Sequence, residues 1–384
     1  MDNNRENRYL TITQAAGKLG VSRQTIYTWI GDGRIKTIKT PSGRLRIREN
    51  QLILADHQEE RVIEDKNDSF GIEDISELTP YMVEQMGTKE KYWFWVDAEN
   101  WYWDIDGDRF LFKSGRVNTG ENWAEVIAAE LCSLLGLPHA KYKLAKFHEL
   151  NGVITPNFVE DNSIFIPGNE LLAGVVKGYE KTKQYKQFKH TLRTVATILK
   201  NPDFNITEGI EITADINCAL DVFAGYLIFD AWIANTDRHH ENWGVIYNPN
   251  KRSFSLAPTF DHAASLGRNE QDDTRRIRLD TKDKTRSIVR YVEKARSALY
   301  KSISDNKPML TLETIKEIAK IRPGAVNYWQ NKLQNVLVSD TVKIVYKIPD
   351  EVMSDTSKEF AIKLLELNRD RILGLNFQKE RNRA

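Results

Sequence analysis

Residues 221–247, DVFAGYLIFDAWIANTDRHHENWGVIY, pass from a very apolar helix into an unbroken polar run and out again into a strand. The periodicity predicts a helix ending at Ala234, after which Asn235, Thr236, Asp237, Arg238, His239, His240, Glu241 and Asn242 crowd together ahead of the strand Gly244–Tyr247. Polar groups gathered between two apolar elements have two readings. They are either a helix end whose members satisfy one another by hydrogen bonds, or a site that presents them to something else. Asp237 and Asn242 set one carboxylate and one amide on the same short loop.

Two further clusters bear on the choice. Downstream, SFSLAPTFDHAASLG brings Asp261 in from a strand, nineteen residues after Asn242 and ahead of small residues, and the intervening VIYNPNKRSFSLAP reads as a hairpin. Upstream, KYWFWVDAENWYWDIDGDRFLFKSGR alternates aromatic residues with the turn signals DAEN and DGD. It predicts two hairpin-linked strands and a third, Arg109 to Lys113. The run Asp104–Asp108 has the look of a calcium loop but lacks the spaced downstream Glu, so a turn is expected. Lys113 ends the apolar strand FLFK, and twelve residues later Glu125 is expected to open an amphipathic helix with Val126, Ile127, Leu131 and Leu134 on its apolar face. Kinases use a strand Lys paired with a helix Glu to hold the α- and β-phosphates of ATP. The spacing Asp237-x-x-x-x-Asn242 is that of the protein-kinase catalytic loop, and Asp261 stands where a kinase places its main magnesium carboxylate.

The combination of N-T-D-R-H-x-x-N with L-A-P-x-F-D-x-A-x-S resembles the HipA-like family of bacterial serine/threonine kinases, over about residues 90–375. KIPDEVMSDTSKEFAIKLLELNRDRILGL looks like that family's closing helices. The resemblance implies a bilobal kinase-related fold, use of ATP with Mg2+, and a toxin–antitoxin setting. Carried over position by position, it implies that Lys113 contacts ATP phosphates and Glu125 pairs with it. Asp237 then acts as base or hydroxyl-orienting group, Asn242 and Asp261 ligate magnesium, and His239 orients the loop. The chain also departs from the pattern. No G-x-G-x-x-G precedes Lys113, His262-Ala263 follows Asp261 where kinases have Phe-Gly, and the family's Ser-bearing nucleotide loop is not recognisable. The phosphate roof is expected from Asp97–Asn100 or from Ser114-Gly115-Arg116. The charged run after Asp261 carries Thr274, Thr281, Thr285 and Ser287 near arginines, and reads equally as a substrate platform, an autophosphorylated segment or an exposed loop leading into a helix. Residues 310–384 are expected to be helical, broken at Pro323-Gly324 and Pro349-Asp350.

The formal net charge of +1 would argue against nucleic acid, but it averages opposed blocks: residues 1–50 carry +6 and residues 56–77 carry −7. In the basic head, Thr11 or Thr13 can cap a helix with Ala15, Ala16 and Leu19 inward, Gly20 makes a turn, and Ser22 caps a second helix with Ile26 and Trp29 inward. TIKTPSGRLRIR follows as a hairpin. This order resembles the winged helix-turn-helix of excisionase and MerR-type DNA readers. The resemblance implies that Arg23, Gln24 and Tyr27 face the major groove, and that Lys39, Arg44 and Arg46 on the wing touch phosphate or the minor groove. So small a footprint would gain specificity from a homodimer. The bland alternative is a docking domain with a solvated basic face.

Cys132 and Cys218 sit in apolar patterns and read as buried thiols rather than a disulfide framework or a zinc site. With a polar start and no apolar run near ~18 residues, no membrane contact is expected, and a cytoplasmic location follows.

The expected fold class is α+β. A winged helix-turn-helix domain (1–55) precedes an acidic linker (56–80) and a bilobal kinase-like domain (81–384) with a small β-rich N-lobe and a helical C-lobe. The expected function is an ATP- and Mg2+-dependent serine/threonine kinase, toxin-like or regulatory, acting on a protein substrate and bound to DNA through residues 1–55. Two other readings stay open at this point: a DNA-binding transcriptional regulator whose kinase-like domain only binds nucleotide, and a small-molecule or lipid phosphotransferase.

Overall fold

The computed structural model describes residues 9–19, 26, 30, 37–39, 45–48, 69–84, 89–96 and 108–377. The chain divides into two units, Met1–Ser69 and Phe70–Ala384.

In the small unit, β1 (Tyr9–Leu10), α1 (Ile12–Leu19), β2 (Thr37–Lys39) and β3 (Leu45–Arg48) follow in order. Helix α1 starts on a reciprocal cap. The Gln14 amide N–H donates to the Thr11 hydroxyl at 3.2 Å, and the Thr11 N–H donates to Gln14 Oε1 at 2.9 Å. The strands form an antiparallel sheet in the order β1-β3-β2. Leu10, Ile12, Ala15, Ala16, Ile26 and Ile47 make its core. Ala15, Ala16 and Ile26 are thus inward as expected, and β2 and β3 are the two arms of the expected hairpin. The Leu19 and Trp29 side chains and the hairpin tip lie outside the described residues.

The large unit opens with a six-stranded sheet of β4 (Ile72–Asp74), β5 (Met82–Val83), β6 (Lys91–Trp95), β7 (Arg109–Ser114), β8 (Lys143–Phe147) and β9 (Leu150–Pro156), in the order β4-β8-β9-β7-β6-β5. Phe94, Phe110, Phe112 and Phe147 fill one face with Ile75 and Ile154. Strand alternation then sends Lys113 to the opposite face. Residues 97–107, with the DAEN turn and most of the Asp104–Asp108 run, lie outside the described residues.

Two expectations need correction here. The segment assigned to the linker up to residue 80 contributes β4, which pairs in parallel with β8, and Ile75 is fully buried. Within β4 itself Ile72 is exposed and Glu73 half-buried, so the strand has no inward apolar alternation to read, and Ile75 just past it supplies the buried contact. Second, the helix expected to open at Glu125 begins one turn earlier, as α2 (Glu121–Leu135), with Trp123 buried in its first turn. Gly120, which precedes it, offers no side-chain cap to mark the start.

The second lobe holds helices α3 (Gly168–Val175), α4 (Leu192–Leu199), α5 (Ala219–Trp232), α6 (Asp272–Asp280), α7 (Ile288–Glu293), α8 (Thr311–Ile321), α9 (Pro323–Asn335), α10 (Val338–Tyr346) and α11 (Asp355–Leu373). A small sheet, β10 (Ile164–Pro167), β11 (Phe204–Asn205), β12 (Gly244–Asn248) and β13 (Ser253–Leu256), runs in the order β10-β12-β13-β11. Strands β12 and β13 form the expected hairpin.

Every residue of α5 is buried. A helix apolar on all sides must sit in the middle of its lobe, and α8, α9 and α11 pack around this one. Its two acids are both paired, Asp221 with Arg322 and Asp230 with Arg238. The helix stops at Trp232 rather than at Ala234, which is left-handed at φ +54°. Asn368 of α11 donates to the Trp232 carbonyl at 3.1 Å, taking up one of the acceptors that a helix leaves unpaired at its end.

Cys132 is buried, whereas Cys218 is only half-buried, at the start of α5 with its thiol on Asp221. The charged run after Asp261 forms α6 and α7, joined by a mostly exposed loop, residues 281–287, that carries Thr281, Thr285 and Ser287. Arg275 and Arg276 tie α6 to α11 through Ser357 and Glu359, at 2.5 and 2.8 Å. Ser287 caps α7. Among the described residues, no helix is long and apolar enough to cross a membrane.

Candidate active site

Lys113 reaches the cleft because β7 turns it away from the aromatic face, and Glu125 meets it from the second turn of α2. The Lys113 ammonium donates to Glu125 Oε1 at 3.3 Å and to Asp261 Oδ1 at 3.1 Å. Burial alone would favour neutral lysine, but the Asp261 and Glu125 carboxylates outweigh it and hold the Lys113 pKa well above its ordinary value. Glu125, 1% exposed, is pushed up by burial, a rise that Lys113 opposes. Burial also acts on Asp261, but the ammonium groups of Lys113, Lys91 and Lys89 win, so its carboxylate lies well below the ordinary range and stays charged. The Tyr142 ring lies 5.5 Å beneath the Lys113 ammonium, and the Tyr142 hydroxyl accepts the Asp261 N–H at 3.3 Å. Asp261 itself is left-handed at φ +57°, a conformation that costs about 1–3 kcal/mol in a residue other than glycine and needs support from its surroundings.

The polar loop is built around one guanidinium. Arg238 is fully buried. It donates Nε and Nη2 to the two oxygens of Asp230 at 2.8 and 2.7 Å, Nη1 to the Asn242 carbonyl at 2.6 Å, and Nη2 to the Thr259 hydroxyl at 3.0 Å. One side chain therefore fastens the end of α5, the close of the loop and the approach to Asp261 together. Asn235 donates to Asp230 at 2.8 Å and accepts the Asp237 N–H at 3.1 Å. The Asn242 amide nitrogen donates to the Asp237 carbonyl at 2.8 Å, which leaves its amide oxygen available to a cation.

With this support the Asp237 carboxylate stands at the mouth of the cleft. Burial pushes its pKa up, His239 opposes this, and Asp261 adds to the rise. His239 accepts the Glu241 N–H through Nδ1 at 3.1 Å, so the neutral ring carries its proton on Nε2, 3.8 Å from Asp237 Oδ1. A cavity of about 200 Å³ opens beside them, lined by Asp237, His239, His190, Tyr185, Lys186 and Arg296 among others. Asp261 and Asn242 offer hard oxygen donors suited to Mg2+, and two cation-facing carboxylates with a buried Lys make a setting for phosphate.

The structure thus brings Lys113, Glu125 and Asp261 into direct contact, and puts Asp237, His239 and Asn242 on one braced loop. Sequence reasoning missed Arg238 as the brace. The signal was Asp230, an acid in the last turn of a very apolar helix, which had to find a cation within reach. It also missed Tyr142 and Lys89. Of the DNA-facing candidates, Arg23, Gln24, Tyr27 and Arg44 lie outside the described residues. Lys39 is placed by its backbone on β2, and Arg46 lies on β3, where Nη1 donates to the Leu45 carbonyl at 3.2 Å.

Comparison with known proteins matches residues 9–53 to a helix-turn-helix domain and residues 87–323 to the HipA-like C-terminal domain. No curated protein matches. The proinflammatory kinase CtkA of Helicobacter pylori is similar in structure, at 17% identity and a TM-score of 0.59, over 80% of this chain and 99% of that one. A chain from the Shewanella oneidensis MR-1 toxin–antitoxin complex of HipA, HipB and operator DNA aligns at 14% identity and a TM-score of 0.46, over 83% of this chain and 73% of that one. The first likeness bears on fold and agrees with the two lobes described above. The match to the HipA-like domain spans well over half of the chain, and the protein therefore belongs to the HipA-like kinase family, with a helix-turn-helix domain ahead of its kinase-like domain.

Proposed function

We propose that the large unit is an ATP- and Mg2+-dependent serine/threonine protein kinase, and that the helix-turn-helix unit binds DNA. The observation that carries the kinase reading is Lys113 held between Glu125 and Asp261 at 3.3 and 3.1 Å, with Asp237 presented on the braced polar loop nearby. When bound, Mg2+ would neutralise phosphate charge, held by Asp261 and Asn242. Lys113 would bind the α- and β-phosphates, with Glu125 fixing its position. Asp237 would orient the acceptor hydroxyl and take its proton, and the His239 ring would keep that carboxylate in place. The work is mainly positioning and charge stabilisation. The cavity beside Asp237, rimmed by Tyr185, Lys186 and Arg296, has room for one acceptor side chain.

The test is incubation of the full chain with γ-labelled ATP and Mg2+, alone and with added proteins or small molecules, using wild type and Asp261→Asn. Label on Ser or Thr of a protein, lost in the variant, is the expected result. Label on a small molecule instead would favour a small-molecule kinase, and ATP binding with no transfer would favour a nucleotide-sensing regulator.

A further inference from the structure

The cavity beside Asp237 is walled by three stretches of the second lobe: the loop ahead of α4, the polar loop, and the segment that follows α7. Among the described residues that line it, Asp237 is the only acid. Lys186 and Arg296 line it too, and neither has a carboxylate partner among the described residues. The acids of the surrounding segments are engaged elsewhere. Glu241 accepts the Gln184 amide at 2.5 Å, Glu180 pairs with Lys183 at 3.4 Å, and Glu293 pairs with Arg290 at 3.1 Å. The charges acting on Asp237 come chiefly from His239, Asp261, Lys89 and Arg238, so neither Lys186 nor Arg296 serves as its counterion. Burial holds His190 and His240 neutral, with pKa values lowered to about 3 and about 4, which leaves the permanent positive charge of the wall to Lys186 and Arg296. Arg296 is fixed in place: its Nη1 donates to the Pro308 carbonyl at 2.6 Å, and its backbone bridges to Leu310. Lys186 is left-handed at φ +55°, and Tyr185 beside it is 78% exposed.

We propose that Lys186 and Arg296 bind an anionic side chain of the acceptor protein, close in sequence to the hydroxyl that Asp237 receives. The inference rests on the protein-kinase reading given above and names the acceptors it selects: Ser or Thr flanked by Asp, Glu or a phosphorylated residue. The cavity has room for one acceptor side chain, so a flanking residue must lie across the rim. There Lys186 stands exposed, and the Tyr185 ring offers a surface for a peptide to pack against. A carboxylate or phosphate at the rim meets two cations that lack a counterion, and a guanidinium suits either anion. A Lys or Arg in the same place meets like charge. The rim thus discriminates by repulsion as well as by attraction.

The experiment is phosphate transfer by the full chain from γ-labelled ATP to a set of Ser peptides carrying Asp, Glu, phosphoserine, Ala or Lys at each position flanking the acceptor. It compares wild type, Lys186→Ala and Lys186→Glu. Two partly exposed ion pairs are together worth on the order of 10-fold in kcat/KM. The expected wild-type result is a preference of that size for an anionic residue over Ala, discrimination against Lys at the same position, and weakening of both as salt is raised. The preference should shrink in Lys186→Ala through KM for peptide. Lys186→Glu should turn it toward Lys-flanked peptides, a gain that a misfolded variant cannot show. Equal use of Asp, Glu and phosphoserine assigns the rim to any anionic side chain, and use of phosphoserine alone assigns it to acceptors already phosphorylated nearby. Equal rates across the set, or wild-type preference kept in Lys186→Glu, overturns the inference and leaves the kinase reading intact. Absence of label on every peptide and every added protein overturns both.

Discussion

Replacing Arg238 by Met removes a guanidinium from a fully buried site and leaves Asp230, 2% exposed, as a charge without its counterion. Breaking a buried pair from one side costs about 3–5 kcal/mol, a large part of the roughly 5–15 kcal/mol that holds a typical domain folded. The double variant Asp230→Leu with Arg238→Met removes both charges, and the desolvation penalty disappears with them. Both variants lose the donor to the Asn242 carbonyl and the Thr259 hydroxyl, so the double variant's only added loss is the acceptor of Asn235, about 1–3 kcal/mol at a buried site. Urea denaturation followed by tryptophan fluorescence should therefore rank wild type, double variant and single variant in falling order of stability. Phosphate transfer should not follow that order. The double variant lacks the clamp between α5, the loop and the Asp261 approach, and displacement of a catalytic group by about 1 Å can cost on the order of 100-fold in rate. A single variant within about 1 kcal/mol of wild type, or a double variant no more stable than the single, would refute this account of the loop.

The Asp237 carboxylate must be ionised to accept a proton, and burial with Asp261 nearby raises its pKa above the ordinary 3.8. The kcat–pH profile should accordingly fall on acidification with a limb higher than that of an exposed aspartate, and Asp237→Asn should cost roughly 10²–10⁴-fold in kcat while ATP affinity is kept. Gly225 lies in the interior of α5, where Gly→Ala ordinarily stabilises a helix by about 1 kcal/mol. Here an added methyl would lie 2.6 Å from the Trp329 ring and 2.8 Å from Leu137, so Gly225→Ala should destabilise by roughly 1–3 kcal/mol in the same denaturation assay. In the small unit, Arg46→Ala should weaken DNA binding and lower the slope of log affinity against log salt by about 1, read by fluorescence anisotropy.

What the sequence made legible at the site is what local spacing encodes. Asp237 and Asn242 share a loop, Asp261 follows a hairpin from it, and Lys113 and Glu125 are twelve residues apart across one strand–helix connection. Arg238 sat in the same motif, yet its partners include Thr259, twenty-one residues away. Its role depends on which way it turns, and a linear pattern does not say that. Lys89 and Glu121 were equally out of reach, because their pairing depends on the β6–β7 register and on where α2 begins. The start of α2 itself was hidden by Gly120, which leaves no capping side chain to read. Strand β4 was hidden by charge: Glu73 and Asp74 made an edge strand look like part of an acidic tether, although Ile75 beside them fills the core.

The hydrogen bond from Asn368 to the Trp232 carbonyl has a consequence for where the catalytic unit ends. Every residue assigned to the chemistry precedes position 262, and the matched HipA-like domain stops at 323. The helix that closes off the end of α5, immediately before the polar loop, nevertheless runs from Asp355 to Leu373. A fragment cut at the family boundary would keep the whole motif but leave the root of its loop open to water. A piece that keeps the root of the polar loop closed therefore extends through α11, whose Asn368 supports the loop from behind, at the end of α5.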